Sequence, residues 1–281
     1  MAVITTAFEG PFELVDIRTE TDERRRSLTP PRWLRRLLGP LAIFGLWSAV
    51  SYGGLVSTHI LASPSQVVQA GWHLATAEDL AGNLWASIQR VVKGLGLGIL
   101  IGVTLALLAG LFRWGEDLVD SLMQLFHSLP VIALIPLLIV WLGIDETPKV
   151  TVIALGTAFP IYLNTYSAIR NVDRRLVETG TAFGLGRLAL IRHVLAPAAV
   201  PGFLVGLRMS MTTSLLVLIF VEQLNAVKGL GVLMNSAETT FNTGVIIFIL
   251  VLYALYGLLT VSFVRFLERI LVPWRRGFQG Q

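Results

Sequence analysis

Between Arg170 and Pro201 the chain reads RNVDRRLVETGTAFGLGRLALIRHVLAPAAVP, a polar, helix-capable insert between two long apolar stretches. Arg170, Asp173, Arg174, Arg175 and Glu178 are residue types suited to charged recognition of a partner surface. At a bilayer centre each such charge would cost about 2.5–3.5 kcal/mol, against about 0.3–0.6 kcal/mol returned by each apolar neighbour. The insert is therefore expected outside the hydrocarbon. Hydrolytic chemistry has no local signature: GxxxxGK[ST] and GxSxG are both absent, and Lys93, Lys149 and Lys228 follow no phosphate-binding glycine loop. The chain is not expected to hydrolyse ATP. His59, His73, His127 and His193 lack HExxH spacing, and only His127 falls in an apolar stretch, where a packed or hydrogen-bonded ring is expected. With no cysteine, disulfides and thiolate metal sites are excluded.

Within the insert, Val172, Leu176, Thr179 and Phe183 recur at helical spacing, Gly184 and Gly186 break the period, and Leu188, Ile191 and Leu195 resume it until Pro197. Two short helices meeting at a bend are expected. Periodicity alone leaves open whether they serve a partner or form a linker whose arginines set topology.

The elements that must hold this insert are membrane helices. Hydrophobic residues make up 54% of the 281-residue chain and charged residues 14%, too apolar a balance for one water-soluble core. Continuously apolar runs such as VIIFILVLYALYGLL at 245–259 exclude the every-second-residue pattern of a transmembrane barrel. An all-α integral membrane protein with six spans is expected, at about 38–56, 88–112, 121–142, 150–169, 201–221 and 243–267. The glycine-rich GLGLGILIG at 94–102 has no preceding strand and reads as a close helix contact. Arginines gather before the first span, at Arg113, in the insert and from Arg265 onward, all on one side of an even-span topology. That side is expected to be cytoplasmic, with both termini inside. The net charge of +4 is then explained by topology and lipid headgroups, without nucleic acid. Residues 1–37 and 273–281 read as polar cytoplasmic tails flanking a transmembrane domain at 38–272. Arg208 and Glu222 are placed near opposite ends of the fifth span, and paired intramembrane charges of the kind an ion-driven carrier needs are not evident.

The insert resembles the EAA loop of bacterial ABC-importer permeases. Glu178, Gly184 and Pro197 take the glutamate, glycine and proline places, while Thr179 and Gly180 stand where that pattern has two alanines. IPLLIVWLGIDETPKV at 135–150, FPIYLNTYSAIRNVD at 159–173, LASPSQVV at 61–68 and LIFVEQLNAVKGLGVLM at 218–234 are similar to the subgroup importing aliphatic sulfonates, taurine and nitrate. The resemblance spans roughly 40–272 and implies a type I importer in the bacterial inner membrane. It implies a homodimer of permease chains, a pair of separate ATPase subunits carrying ATP and Mg, and an extracytoplasmic binding protein that delivers cargo. This chain would hold no cofactor. Aliphatic sulfonates are the first expectation for cargo, with nitrate, taurine, bicarbonate and vitamin precursors as alternatives.

In that frame the insert at 170–201 holds the coupling helices. Glu178 is expected to contact the ATPase or cap the insert, Arg174 and Arg175 to support it, Gly184 and Gly186 to permit the bend, and Pro197 to end the second helix. Ser128, Trp141, Thr157, Tyr162, Asn164, Tyr166, Thr212, Thr213 and Ser214 are polar or aromatic residues within spans that could line a passage or serve as interhelical contacts. Pro130, Pro136 and Pro160 are expected to bend helices near it. A secondary carrier or channel working without ATP, and a scaffold without flux, are the rival readings.

Overall fold

The structure, a computed structural model, describes residues 32–54, 56, 57 and 60–273. Residues 1–31 of the expected N-terminal tail (1–37), residues 274–281 of the expected C-terminal tail (273–281), and His59 lie outside the described residues. Two units separate between Trp47 and Ser48. The first contains the beginning of helix α1 (Arg32–Tyr52), where Phe44 and Trp47 meet edge-on at 5.7 Å. Everything that follows lies in the second.

The regular elements of that second unit, among its described residues, are all helices. Helix α2 (Pro64–Ala77) starts from a reciprocal cap: the Ser63 hydroxyl accepts from Gln66 N–H, the Gln66 side chain accepts from Ser63 N–H, and Pro64 needs no donor there. Helix α3 (Leu80–Leu111) starts at Asp79, whose carboxylate accepts from Gly82 N–H at 3.1 Å. Helices α4 (Glu116–Ser128) and α5 (Val131–Leu142) are bent by 86°. Then come α6 (Glu146–Arg170), α7 (Arg174–Ala182), α8 (Arg187–Asn225), α9 (Leu230–Thr239) and α10 (Thr243–Leu271).

Four of these, α3, α6, α8 and α10, are long and apolar enough to cross a membrane, and the bent pair would make a fifth. Two expected spans therefore differ from their sequence outline. The stretch 121–142 is not one straight helix, because Pro130 supplies no N–H and the residue before it, Leu129, is forced into extended backbone at ψ 130°. The first expected span, 38–56, contributes only Leu38–Tyr52 as an apolar helix, shorter than the roughly 20 residues a span requires. The backbone of α1 is nevertheless helical from Arg32, inside what composition marks as tail.

The centre of the unit is α6 packed between α3 and α8. Gly94, Gly98, Gly102, Ala106 and Gly110 form a stripe of small residues at every fourth position of α3. Their partners advance in step along α6: Gly94 meets Ile153, Gly98 meets Thr157, Gly102 meets Ile161 and Gly110 meets Ile169. The two helices thus run parallel in tight register. A Cβ at Gly102 would stand 2.6 Å from Ala158 O. Here the glycine run at 94–102 is a packing device, as its setting predicts. Helix α8 crosses α6 in the opposite sense, with Gly206 against Pro160 and Gly202 against Ala168. Ser210 Oγ donates to Thr157 O at 2.6 Å across the same contact. Val91, Ile135, Leu138, Val152, Ile153, Val217, Leu218 and Val221 fill the space between these helices.

Because the α3–α6 approach leaves no room for side-chain volume, Gly102→Val is expected to destabilise the purified protein by about 1–3 kcal/mol. Gly96→Val, whose Cβ meets nothing within 4 Å, is the control expected to melt like wild type. Thermal unfolding in detergent distinguishes them, and equal melting would refute the close-packing assignment.

Candidate functional site

The insert folds as a helical hairpin on one end of the bundle. Asp173 caps α7, its carboxylate accepting from Arg175 N–H at 2.9 Å. Glu178, expected as a possible cap, instead pairs with Arg174 one turn earlier at 2.9 Å, with both side chains largely in solvent. Such a pair contributes only about 0.3–0.5 kcal/mol to a helix, so little holds these groups back from another partner. The chain then reverses at Gly184, whose φ of +77° favours a residue without Cβ. Gly186 is the extended residue that precedes the second helix, at φ −67° and ψ 168°.

Gly180 is buried where the two arms cross. Its Cα faces Leu190, and an added Cβ would sit 2.8 Å from Leu190 Cδ1. The departure from alanine at this place is therefore matched by a close approach of the second arm. On the outside of the hairpin, Phe183 is 83% exposed and Leu188 79% exposed.

Pro197 does not end the second helix. The helix continues from Arg187 to Asn225, and a π-helical turn at Ile191–Leu195 precedes the proline. In that turn Ala196 N–H bonds to Ile191 O, five residues back, so the hydrogen-bond ladder changes register just before the residue that has no N–H. The insert's second arm and the expected fifth span are one continuous helix.

A polar ladder ties the start of the insert to α4. Arg170 Nη2 contacts Glu116 Oε1 at 2.9 Å, and Tyr166 OH donates to the same oxygen at 3.0 Å. One turn further, Tyr162 OH donates to Asp120 Oδ1 at 3.0 Å, with Tyr162 stacked on Tyr166 at 5.6 Å. Tyr162 and Tyr166 are thereby committed to α4. The other candidate passage residues are dispersed. Thr157 and Ser214 are fully buried and donate to carbonyls of their own helices. Asn164 donates to Pro160 O at 2.8 Å and lines an open cleft with Ser167, Asn171 and Val205. Ser128, Thr212 and Thr213 also donate to carbonyls of their own helices, and Trp141 is 69% exposed. His127 stacks on Phe159 at 3.8 Å, as a packed ring should.

The opposite end of the bundle holds a charge cluster. Glu222, near the end of α8, is fully buried. Its carboxylate accepts from Arg90 Nη1 at 2.7 Å, from Ser87 Oγ at 2.7 Å and from Gly231 N at 2.8 Å. Arg90 also donates to both oxygens of Glu146, at 2.6 and 2.8 Å, and to Lys228 O at 2.6 Å. Lys149 adds a contact to Glu146 at 3.2 Å. Arg208 pairs with Glu268 at 2.8 Å near the other end of α10. Paired charges thus exist within the spans, contrary to the sequence expectation. Their pattern differs from a proton relay: the Arg90 cluster is balanced in formal charge, and the Glu222 carboxylate is saturated by donors from α3 and α9.

The loop between α8 and α9 is shaped around that carboxylate. Gly229 adopts φ +146°, and a Cβ there would meet the Glu222 carboxylate. Gly229 N–H donates to Asn83 Oδ1 at 2.8 Å, and Leu230 N–H to Ser87 Oγ at 2.9 Å. Outside the spans, Lys228 lies 3.2 Å from Asp79 and, with Gly82 N–H, holds the Asp79 carboxyl below its ordinary range.

The sequence pattern of the family described as the binding-protein-dependent transport system inner membrane component matches residues 98–277. The chain belongs to this family. The permease is 40% identical over 250 residues to a protein of Escherichia coli strain K12 named as an aliphatic sulfonates transport permease, SsuC, covering 88% of this chain and 95% of that relative. A Bacillus subtilis strain 168 protein of the same designation is 35% identical over 248 residues, covering 88% and 90% respectively. An inward-facing structure of the MetNI methionine ABC transporter aligns with a TM-score of 0.60 at 21% identity, over 69% of this chain and 96% of that one. At that identity the likeness is one of fold, and it is the type I importer-permease fold expected from the sequence.

Sequence reasoning missed Arg90 in this permease. The signal was present: an arginine inside one apolar stretch and a glutamate at the end of another, each costly to bury alone and tolerated only as a pair. Replacing Glu222 with Leu leaves Arg90 and Gly231 N–H without this acceptor. Loss of one member of a buried pair costs about 3–5 kcal/mol, so Glu222→Leu is expected to unfold at much lower denaturant than wild type. Unfolding by a graded denaturing detergent measures this, and wild-type resistance would show that the cluster is not structural.

Proposed function

We propose that this permease is the transmembrane subunit of an ATP-driven importer of aliphatic sulfonates, working as a homodimer in a bacterial inner membrane with both termini cytoplasmic. The cargo reading is supported by near full-length similarity to the two proteins named as sulfonate permeases. The coupling reading is carried by one observation: an exposed apolar and charged hairpin is built into the start of a helix that continues to the other end of the bundle.

In this account a pair of separate ATPase subunits, binding ATP and Mg, grips the hairpin at Phe183, Leu188, Arg174, Arg175 and Glu178. Nucleotide-driven closure of the ATPases draws the two hairpins together. Because α8 is continuous over 39 residues, about 58 Å at 1.5 Å per residue, the movement is imposed on its Glu222 end as well. The α6 ladder through Arg170 and Tyr166 carries the same displacement to α4. A nucleotide shifts such an equilibrium only through different contacts in the two states, and the hairpin is where this chain can offer them. An extracytoplasmic binding protein delivers cargo to the opposite end. Among Thr212, Thr213, Asn164, Trp141 and Ser128, those that meet the passage need only weak hydrogen bonds, since a pathway must release what it admits.

Reconstitution of the permease with its ATPase and binding protein in liposomes is expected to give uptake of an alkanesulfonate that requires ATP and the binding protein. Uptake by this chain alone under an ion gradient would contradict the proposal, and ATP-dependent uptake of nitrate or taurine instead would correct the cargo. Leu188→Asp is expected to weaken ATPase-subunit association at least about tenfold, the scale of losing one buried apolar anchor, with normal membrane insertion. Gly184→Val, strained at φ +77°, is expected to lower cargo-stimulated ATPase activity more than insertion. Full coupling in a well-assembled Gly184→Val variant would argue against the hairpin assignment.

A further inference from the structure

The break between α4 and α5 falls at the middle of the bundle. His127, in the last turn of α4, stacks on Phe159, and Val131, the first residue of α5, lies beside Gly156. Both contacts are midway along α6, which runs from Glu146 at the Glu222 end to Arg170 at the insert. From there α5 leads to the Glu222 end, where Asn225 Nδ2 donates to Ile144 O at 3.3 Å. Leu129 and Pro130 are extended between the two helices. Leu129 N–H to Phe126 O at 3.2 Å and Ala133 N–H to Pro130 O at 2.8 Å close part of the gap. A helix end leaves further carbonyls and N–H groups without ladder partners. At membrane depth such backbone is covered by protein or faces water, never hydrocarbon. Yet every residue from Gln124 to Pro130 is exposed in this chain.

The side chains at the break favour water as its cover. Ser121, Gln124, His127 and Ser128 recur at helical spacing and give α4 one polar face, with Leu122, Leu125 and Phe126 on the opposite one. Polar groups within a span face a bundle interior or an aqueous cavity. On this face Ser121 Oγ donates to Asp117 O, Gln124 Nε2 to Asp120 Oδ2 and Ser128 Oγ to Gln124 O. His127 differs. Its ring face rests on Phe159 at 3.8 Å, while neither ring nitrogen is engaged among the described residues. Thr213 reaches the same level from α8: a Cβ at Gly156 would stand 3.7 Å from both Thr213 Cγ2 and Val131 Cγ1. Arg208 is turned to α10, where it pairs with Glu268.

Taking the chain as the transmembrane subunit of an importer, as above, we propose that this break lines the passage and that His127 is its cargo-contacting residue, an imidazole N–H donating to an oxygen of the anion. The Phe159 stack sets the plane of the ring without consuming its nitrogens. A single hydrogen bond suits a passage, which must release what it admits.

The test uses the full-length permease with its ATPase subunits and binding protein. In lipid nanodiscs, where both faces are open to solvent, single cysteines placed in this cysteine-free chain are treated with the anionic reagent methanethiosulfonate ethylsulfonate. His127→Cys is expected to be modified at least about tenfold faster than Leu258→Cys, a 66% exposed position midway along α10, because a thiol in hydrocarbon does not form the reactive thiolate. Equal rates would overturn the proposal, with lipid or a second copy covering the break. In proteoliposomes, ethanesulfonate uptake at saturating loaded binding protein is expected to fall about tenfold in His127→Phe, the scale of losing a hydrogen bond to a charged group. That variant keeps a ring on Phe159 and removes the donor. His127→Gln, which keeps an N–H and gives up the stack, is expected to retain most of the rate. A wild-type rate in His127→Phe, or equal loss in both variants, would make the ring a packing group and overturn the assignment. Wild-type uptake of a different anion would correct the cargo reading alone, with both variants then compared on that anion. The labelling rates need no transport and decide the passage assignment even if uptake fails.

Discussion

A carboxylate with no access to water organises one end of this protein. A guanidinium, a hydroxyl and a backbone N–H converge on the buried Glu222 carboxylate. Those donors come from α3 and from the loop and helix that follow α8. Burying a lone charge would be prohibitive, so the carboxylate dictates where Ser87, Arg90 and Gly231 must stand. Arg90 in turn fixes Glu146, the first residue of α6. Through one group, the ends of α3, α6, α8 and α9 are held together. The glycines of KGLG serve the same constraint, since side-chain volume at Gly229 or Gly231 would meet Glu222.

From that anchored end the helices descend in strict register. The small-residue stripe of α3 brings its backbone against α6, and α8 closes on the other side with its own glycines. Apolar burial gives little drive between helices in a membrane, so close packing and interhelical hydrogen bonds such as Ser210 to Thr157 must supply the cohesion. At the other end the same helices lead into a hairpin whose apolar side chains face outward. One end of α8 is thus bound into its own chain, and the other is presented to a partner. The π-helical turn lies between the two, where the ladder of hydrogen bonds changes register.

How much of this is legible in the sequence depends on whether the cause is local. The hairpin can be read from Gly184 and the flanking period, and the packing role of Gly94, Gly98 and Gly102 from their setting in an apolar run. The break at Pro130 has a local steric cause, yet hydropathy averages across it and suggests one straight span. Pro197 misleads for the opposite reason, because a register shift upstream removes the conflict that would end a helix. The Arg90–Glu222 pair is non-local: its members are 132 residues apart, and each alone suggests a snorkelling side chain. The partners of the Tyr162 and Tyr166 hydroxyls, Asp120 and Glu116, are likewise non-local and are seen only in the structure.

The central claim is that α8 carries displacement from the hairpin to the Glu222 end as a rigid element. The chain has no cysteine, so single spin labels can be placed at Arg187 and, separately, at Val227, which is 91% exposed. Pulsed electron–electron distance measurements between the two copies in the assembled complex, with and without ATP, follow both ends. The account predicts that ATP shortens the distance at Arg187 and shifts the distance at Val227 in the same transition. A change at Arg187 with an unaltered distribution at Val227 would contradict it.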